Sequence, residues 1–215
     1  AWRESVMGVE RDYWQRVAAE IDGPFFDGTA VYDLVQLLPD EATLFMGNSL
    51  PIRHLDQFGQ PSKKWLHTFG NRGASGIDGN LSTGLGISLH SAGRTVIVTG
   101  DITFYHDMNG LLAIGQQGLQ NVTIVLLNND GGGIFNRLPV AQHEPPFGKL
   151  FRTPHGLDFS HAAALYGLEY RKVDSRSDFE KALQKSFAMK RPTLIEVRTD
   201  SEKDESRRKD FKLAK

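Results

Sequence analysis

Two oxygen-bearing side chains stand at matching places in this chain of 215 residues. Asp101 follows the apolar, β-branched run Val96-Ile97-Val98 and Gly100, and Asn129 follows the longer apolar run from Val122 to Leu127. One helix-length segment lies between them. Two buried parallel strands with a crossover helix read in this way. Their carboxyl ends bring Asp101 and Asn129 to one edge of a sheet, where open α/β sheets bind ligands. Asp101 offers a hard anionic oxygen and Asn129 a neutral one. The turn Asp130-Gly131-Gly132-Gly133 exposes backbone groups that no side chain shields. This donor set suits a Mg²⁺ ion that keeps some waters and takes its other ligands from a diphosphate. Alone, Asp101 would read as a helix cap and Asn-Asn-Asp-Gly as a turn; the pairing at two adjacent strand ends favours the metal.

Other segments stop in the same manner. Gly47-Asn48-Ser49, the Gly-rich stretch from Gly70 to Gly79, Gly100-Asp101 and Asn128-Asn129 make four loops on one rim, a convergence stronger than any single motif. Arg53 and Arg72 belong to that rim, and a guanidinium binds carboxylates through a rigid pair of donors. They are candidate clamps for a substrate carboxylate, or ordinary surface arginines. Ile77 is β-branched within a Gly-rich loop, fit to wedge beneath a folded cofactor or to make a plain core contact. Ile134 and Phe135 offer an apolar wall beside the same rim, or ordinary packing.

The elements that must position these residues alternate. Residues 2 to 21 read as an amphipathic helix ended by Asp22-Gly23-Pro24, and Phe25 to Gly28 as a linker. Thr29 caps a helix to Leu38, Thr43 to Met46 is a short buried strand, and Pro51 starts a helix toward Phe58. A strand from Trp65 to Phe69 precedes a small-residue helix, Leu81 to Ser91, whose Gly84 and Gly86 let it lie close to a sheet. After the central strands, the Pro-rich region from Leu138 to Leu157 reads as a functional or mobile loop. A helix from Asp158 to Tyr166, an exposed strand from Leu168 to Val173, a helix capped by Ser175 or Ser177 and a strand from Thr193 to Val197 follow. The charged tail from Asp200 reads as a solvated helix or a frayed end. Strands alternating with helices imply an α/β fold, a doubly wound, mainly parallel sheet with helices on both faces.

Composition narrows the function. The formal net charge of −1 argues against a general nucleic-acid binder. The chain has no cysteine, which excludes disulfides and thiolate metal sites and fits a cytoplasmic protein. No apolar run is long enough to span a bilayer. The aromatic amino-terminal helix, with Tyr13 and Trp14 and no initiator Met, suggests a piece of a larger protein.

A Gly-Asp pair followed at this interval by Asn-Asn resembles the motif of the thiamine-diphosphate enzymes. In that family the third motif residue is usually Gly, where this chain has Ile102. Gly47-Asn48-Ser49-Leu50-Pro51-Ile52-Arg53, Asn71-Arg72-Gly73-Ala74-Ser75-Gly76-Ile77-Asp78-Gly79, and Gly100-Asp101 through Phe104-Tyr105-His106-Asp107 and Asn109 resemble one branch in which that Gly is normally replaced. It is the menaquinone-pathway family of 2-succinyl-5-enolpyruvyl-6-hydroxy-3-cyclohexene-1-carboxylate synthases, and the resemblance runs from about Thr29 to Val197.

The resemblance implies thiamine diphosphate as cofactor, with Mg²⁺ held by Asp101, Asn129 and the carbonyl of Gly131. It extends the cofactor contacts to Asn48, Ser75, Gly76, Ile77, Gly100 and Thr103. Ser49, Arg53, Arg72, Ile134 and Phe135 would meet the substrates, 2-oxoglutarate, which is decarboxylated, and isochorismate, which receives the succinyl-semialdehyde unit. Residues 1–28 would be the end of a central domain with its linker helix, 29–200 the diphosphate-binding domain and 201–215 a charged tail. The family assembles as homo-oligomers, dimers or tetramers, and takes an activating Glu from the amino-terminal domain of a neighbouring subunit. Glu10, Glu20 and Glu41 stand in no comparable context, and no catalytic residue is assigned within this chain. Alone it is expected to bind cofactor weakly and not to turn over. Two other readings are a non-catalytic assembly module and a dinucleotide-binding oxidoreductase, the latter lacking a Gly-x-Gly-x-x-Gly turn between strand and helix.

Overall fold

The computed structural model describes residues 2–211. Six strands form one all-parallel sheet in the order β2-β1-β3-β4-β6-β5. They are β1 (Thr43–Met46), β2 (His67–Phe69), β3 (Thr95–Gly100), β4 (Val122–Asn128), β5 (Glu169–Val173) and β6 (Thr193–Arg198). The central strands are apolar along their whole length because both faces of the sheet are covered. Their alternation sorts side chains into two cores. Val96, Val98, Val125 and Leu127 face one layer, made by α2 (Asp27–Leu37) and α8 (Arg176–Ala188). Ile97, Ile124 and Leu126 face the other, made by α4 (Asn80–Ser88), α5 (Asp101–Asp107), α6 (Leu112–Gln117) and α7 (Ser160–Leu165). Each fully buried Leu, Ile or Val contributes about 1.5–3 kcal/mol over its exposed state.

The chain moves from β1 outward to β2 and then back past β1 to β3. That reversal opens a crevice between β1 and β3 at the strands' carboxyl ends, the place where such sheets bind ligands. α3 (Leu50–Phe58) starts from the end of β1, and α5 from the end of β3. α1 (Trp2–Glu20) lies apart with only Val17 buried. Val17 and Ile21 join Phe26, Phe58 and Phe211 in a third cluster.

Local expectations are met with differences. Ser175 does cap α8, its Oγ accepting the N–H of Asp178, but α2 starts at Asp27, and Thr29 lies buried inside it. Gly84 sits where a Cβ would come within 2.7 Å of Ile97 Cδ1, so α4 does lie against the sheet there, whereas Gly86 faces open space. Both glycines are within α4, which removes them as a dinucleotide-binding turn. The Pro-rich region is not irregular throughout. It folds into a 3₁₀ turn at Pro139–Gln142 and a π turn at Gly148–Arg152. The charged tail forms α9 (Ser201–Asp210), which has a buried face, Ser201, Asp204 and Glu205, and packs beside the 3₁₀ turn Gly133–Arg137. Residues 212–215 of that tail, and Ala1, lie outside the described residues. No helix is long and apolar enough to cross a membrane, among the described residues.

Candidate cofactor site

Asp101 is the first residue of α5, one step beyond β3; Asn129 is one step beyond β4, and Gly100 pairs with Leu127 in register. Both side chains are buried and both line one cleft. Asp101 Oδ1 accepts the N–H of Ile102 at 2.7 Å, and Oδ2 accepts the N–H of Gly131 at 2.8 Å. The Asn129 Oδ1 atom is buried and has no hydrogen-bond partner. A buried amide oxygen without a donor is costly, and a cation would relieve that cost. Among the described residues no group of three or more His, Cys, Asp and Glu side chains could hold a metal, so an ion here needs amide and backbone oxygens, as hard divalent cations accept.

The turn after Asn129 is shaped for close approach. Gly131 has φ 134°, and a Cβ there would stand 2.0 Å from the Arg152 carbonyl oxygen. A Cβ on Gly133 would stand 2.5 Å from Asn129 Nδ2. Asp130 has φ 61°, and its Oδ1 accepts the backbone N–H groups of Gly156 at 2.8 Å and His155 at 3.2 Å. Burial pushes the Asp130 carboxyl up, but these donors outweigh it and hold it below the ordinary Asp range. His155 Nε2 lies 3.2 Å from Asp101 Oδ2, and this hydrogen bond raises the imidazole above its usual pKa against the opposing effect of burial. The donors thus fit a Mg²⁺–diphosphate group, with the His155 imidazole bonded to Asp101 beside them.

Ser49, Ile77, Gly100 and Thr103 line the same cleft, and so do Gly131, Ile134 and Phe135. Asn48, Arg53, Arg72, Ser75 and Gly76 do not. Asn48 works inside the rim: its N–H donates to Asn80 Oδ1, its Nδ2 to the Gly76 carbonyl, and its Oδ1 accepts Arg72 NH1 at 2.8 Å. Arg53 NH1 donates to the Ser49 carbonyl at 2.6 Å. Both arginines are exposed, each with most of its donors still available. Ser49 has φ 74°, a conformation that costs a non-glycine residue about 1–3 kcal/mol and that gathers at functional sites.

Sequence reasoning missed several residues. Asp27, read as linker, is buried, lines the cleft and pairs with buried His54, Nε2 to Oδ2 2.8 Å. Phe151 and Thr153, from the Pro-rich region, close the cleft beside Phe135, whose ring meets Phe151 edge-on at 5.6 Å. His155 reaches Asp101 only through the tertiary fold; the one sequence signal for it was the length of that region. The cleft encloses about 160 Å³, less than the about 300–1,000 Å³ of a pocket for a drug-sized ligand.

Comparison with known proteins gives the family. Residues 46–197 match the family described as thiamine pyrophosphate enzyme, C-terminal TPP binding domain. A protein of Roseiflexus castenholzii named 2-succinyl-5-enolpyruvyl-6-hydroxy-3-cyclohexene-1-carboxylate synthase is 56% identical over 97% of this chain and 36% of its own length. Proteins of the same name from Haloarcula marismortui (46% identical, 94% of this chain, 34% of that one) and Geobacillus thermodenitrificans (49%, 81% and 30%) are also similar. The chain therefore spans about a third of the length of these relatives. Among solved structures, a thiamine diphosphate-dependent 4-hydroxybenzoylformate decarboxylase of Rhodococcus jostii shares the fold, with a TM-score of 0.67 at 23% identity over 82% of this chain and 33% of that one.

Proposed function

Since the chain belongs to the thiamine pyrophosphate enzyme family, as its C-terminal cofactor-binding domain, we propose that it is that domain of a carboligase which decarboxylates 2-oxoglutarate and adds the succinyl-semialdehyde unit to isochorismate. The observation that carries the proposal is the unpartnered, buried Asn129 oxygen in one cleft with the Asp101 carboxylate. Identity of 46–56% to proteins named 2-succinyl-5-enolpyruvyl-6-hydroxy-3-cyclohexene-1-carboxylate synthase supports this reading of the substrate pair.

Asp101, Asn129 and the Gly131 carbonyl would hold Mg²⁺ on the cofactor's diphosphate. When bound, thiamine diphosphate supplies the nucleophilic carbon and the electron sink for decarboxylation. The chain's residues bind and aim. Ile77 would support the folded cofactor from below, Thr103 would meet the diphosphate, and Asn48, Ser75, Gly76 and Gly100 would shape its seat. Arg53 and Arg72 would bind substrate carboxylates with donors that their present bonds leave over. Ser49, strained at the head of α3, would hydrogen-bond a substrate, and Ile134 and Phe135 would flank it and keep water away.

The small enclosed volume suits a site completed by another wall. The activating Glu would come from an amino-terminal domain of a second subunit, which would make the working enzyme a homo-oligomer and leave this chain alone inactive; a cytoplasmic location is part of the same proposal. Asp101→Ala in the full-length enzyme tests the assignment. Mg²⁺-dependent cofactor retention should be lost, and with it product formation from 2-oxoglutarate and isochorismate. Retention at the wild-type level would remove Asp101 from the site.

A further inference from the structure

One residue of β6 breaks that strand's pattern. In Thr193-Leu194-Ile195-Glu196-Val197, Leu194 belongs to one core and Ile195 and Val197 to the other, and Glu196 takes the next apolar place at 2% exposure. A buried carboxylate is tolerated only with good partners. Tyr170 donates its hydroxyl to Glu196 Oε2, and Asn128 Nδ2 donates to Oε1 at 2.7 Å. Arg198 NH1 stands 3.8 Å from Oε1. Burial, then the bond to Glu196, raises the Tyr170 phenol well above its usual pKa, so it stays a donor.

The bond to Glu196 settles which way the Asn128 amide faces. With Nδ2 committed to β6, Oδ1 points to the turn and accepts the N–H of Asp130 at 3.0 Å. That bond closes a turn in which Asp130 has φ 61° and Gly131 φ 134°. The turn in turn delivers the Gly131 N–H to Asp101 Oδ2 at 2.8 Å. One line of hydrogen bonds therefore runs from the sheet interior to the oxygen donors.

We infer that Glu196 is a positioning residue of the cofactor site: through Asn128 it holds the Asp130-Gly131 turn, and so fixes the donors at Asn129 and Gly131. The hydrogen-bond line stands on its own; its consequence for the cofactor rests on the proposed function. A merely structural role makes a different forecast: Glu196→Met, which leaves the Asn128 and Tyr170 donors without an acceptor, would lower overall stability without a particular effect at the turn or on cofactor binding. Glutamine keeps an acceptor for Asn128 and offers N–H to the Tyr170 oxygen, whereas methionine fills the space and offers neither.

The test uses the full-length enzyme with Glu196→Gln, Glu196→Met, Asn128→Ala and the double variant Glu196→Met with Asn128→Ala. Glu196→Met should weaken Mg²⁺-dependent thiamine diphosphate binding by about tenfold or more, as loss of a supporting partner does at metal sites. In the cofactor-free protein it should also speed amide hydrogen exchange at residues 130–133. Glu196→Gln should stay near wild type in both, and the double variant should be no worse than the worse single variant, because both act on one line. Wild-type exchange at 130–133 in Glu196→Met, or effects of the two single changes that add, would overturn the inference. Should Glu196→Met not fold, Asn128→Ala carries the same exchange measurement, and wild-type exchange there overturns it equally. If wild-type enzyme takes up no thiamine diphosphate, the proposed function falls, and exchange still decides the role of Glu196.

Discussion

At the scale of single residues, the rim of the cleft is where backbone strain collects. Ser49 and Asp130 both hold positive φ without being glycine, and each is braced by short bonds, Ser49 through the Arg53 guanidinium on its carbonyl and Asp130 through Asn128. Gly131 is a position where a side chain does not fit. Gly131→Ala must move the Arg152 carbonyl or the turn, so it should cost on the order of 1–3 kcal/mol and lower cofactor affinity; thermal denaturation with and without Mg²⁺ and cofactor measures both. The glycines, Asp101 and Asn129 were legible in the sequence because their chemistry is local: small residues at strand ends with oxygen donors beside them. His155 and Asp27 were not, because their roles come from partners far along the chain, Asp101 for one and His54 for the other.

At the scale of elements, α9 is the departure from the sequence pattern. Its charges alternate, yet it is bound into the fold. Asn136 Nδ2 donates to the Ser201 carbonyl at 3.1 Å, Arg137 Nε to Glu205 at 3.2 Å, and Arg152 NH1 to Glu202 at 2.6 Å. The tail thus ties down the two short turns that carry Phe135 and Phe151. Phe211 ends it, fully buried, with ring centroids 5.1 Å from Phe58 and 5.8 Å from Phe26. Phe211→Ala should cost about 3–5 kcal/mol, read as a lower midpoint in urea, where exposed-residue controls on α9 stay near wild type. Asp204, on the same buried face, is pushed up to about 8 by burial and then by the charge of Asp27. The folded protein holds that proton while the unfolded chain has lost it, so the contribution of Asp204 is full below pH about 4 and is lost as pH rises to about 8. Asp204→Asn removes this slope and should gain on wild type from pH 5 to pH 8 in chemical denaturation; equal slopes would mean that Asp204 titrates normally.

At the scale of the whole molecule, one sheet with two covered faces places four loops on one edge, and the cleft among them is small. A full-length enzyme should gain about 2.7 kcal/mol of stability at a hundredfold excess of cofactor over its dissociation constant. The isolated chain, offering one wall, should show a smaller rise in melting temperature at the same concentrations and no product; an equal rise would mean the site is complete within it. The sequence by itself determined the alternation of strands and helices, the parallel sheet and the gathering of Asp101 and Asn129 at its edge. These follow from hydrophobic period and from glycine at strand ends, which are properties of neighbours along the chain. Only the tertiary structure decided that Asp27 stands at the cleft and His155 against Asp101, that Arg53 and Arg72 lie at its margin, and that a charged tail braces its wall. Those depend on which side chains meet across tens of residues, and a hydrogen bond or ion pair acts only over a few ångströms of space, whatever the separation in sequence.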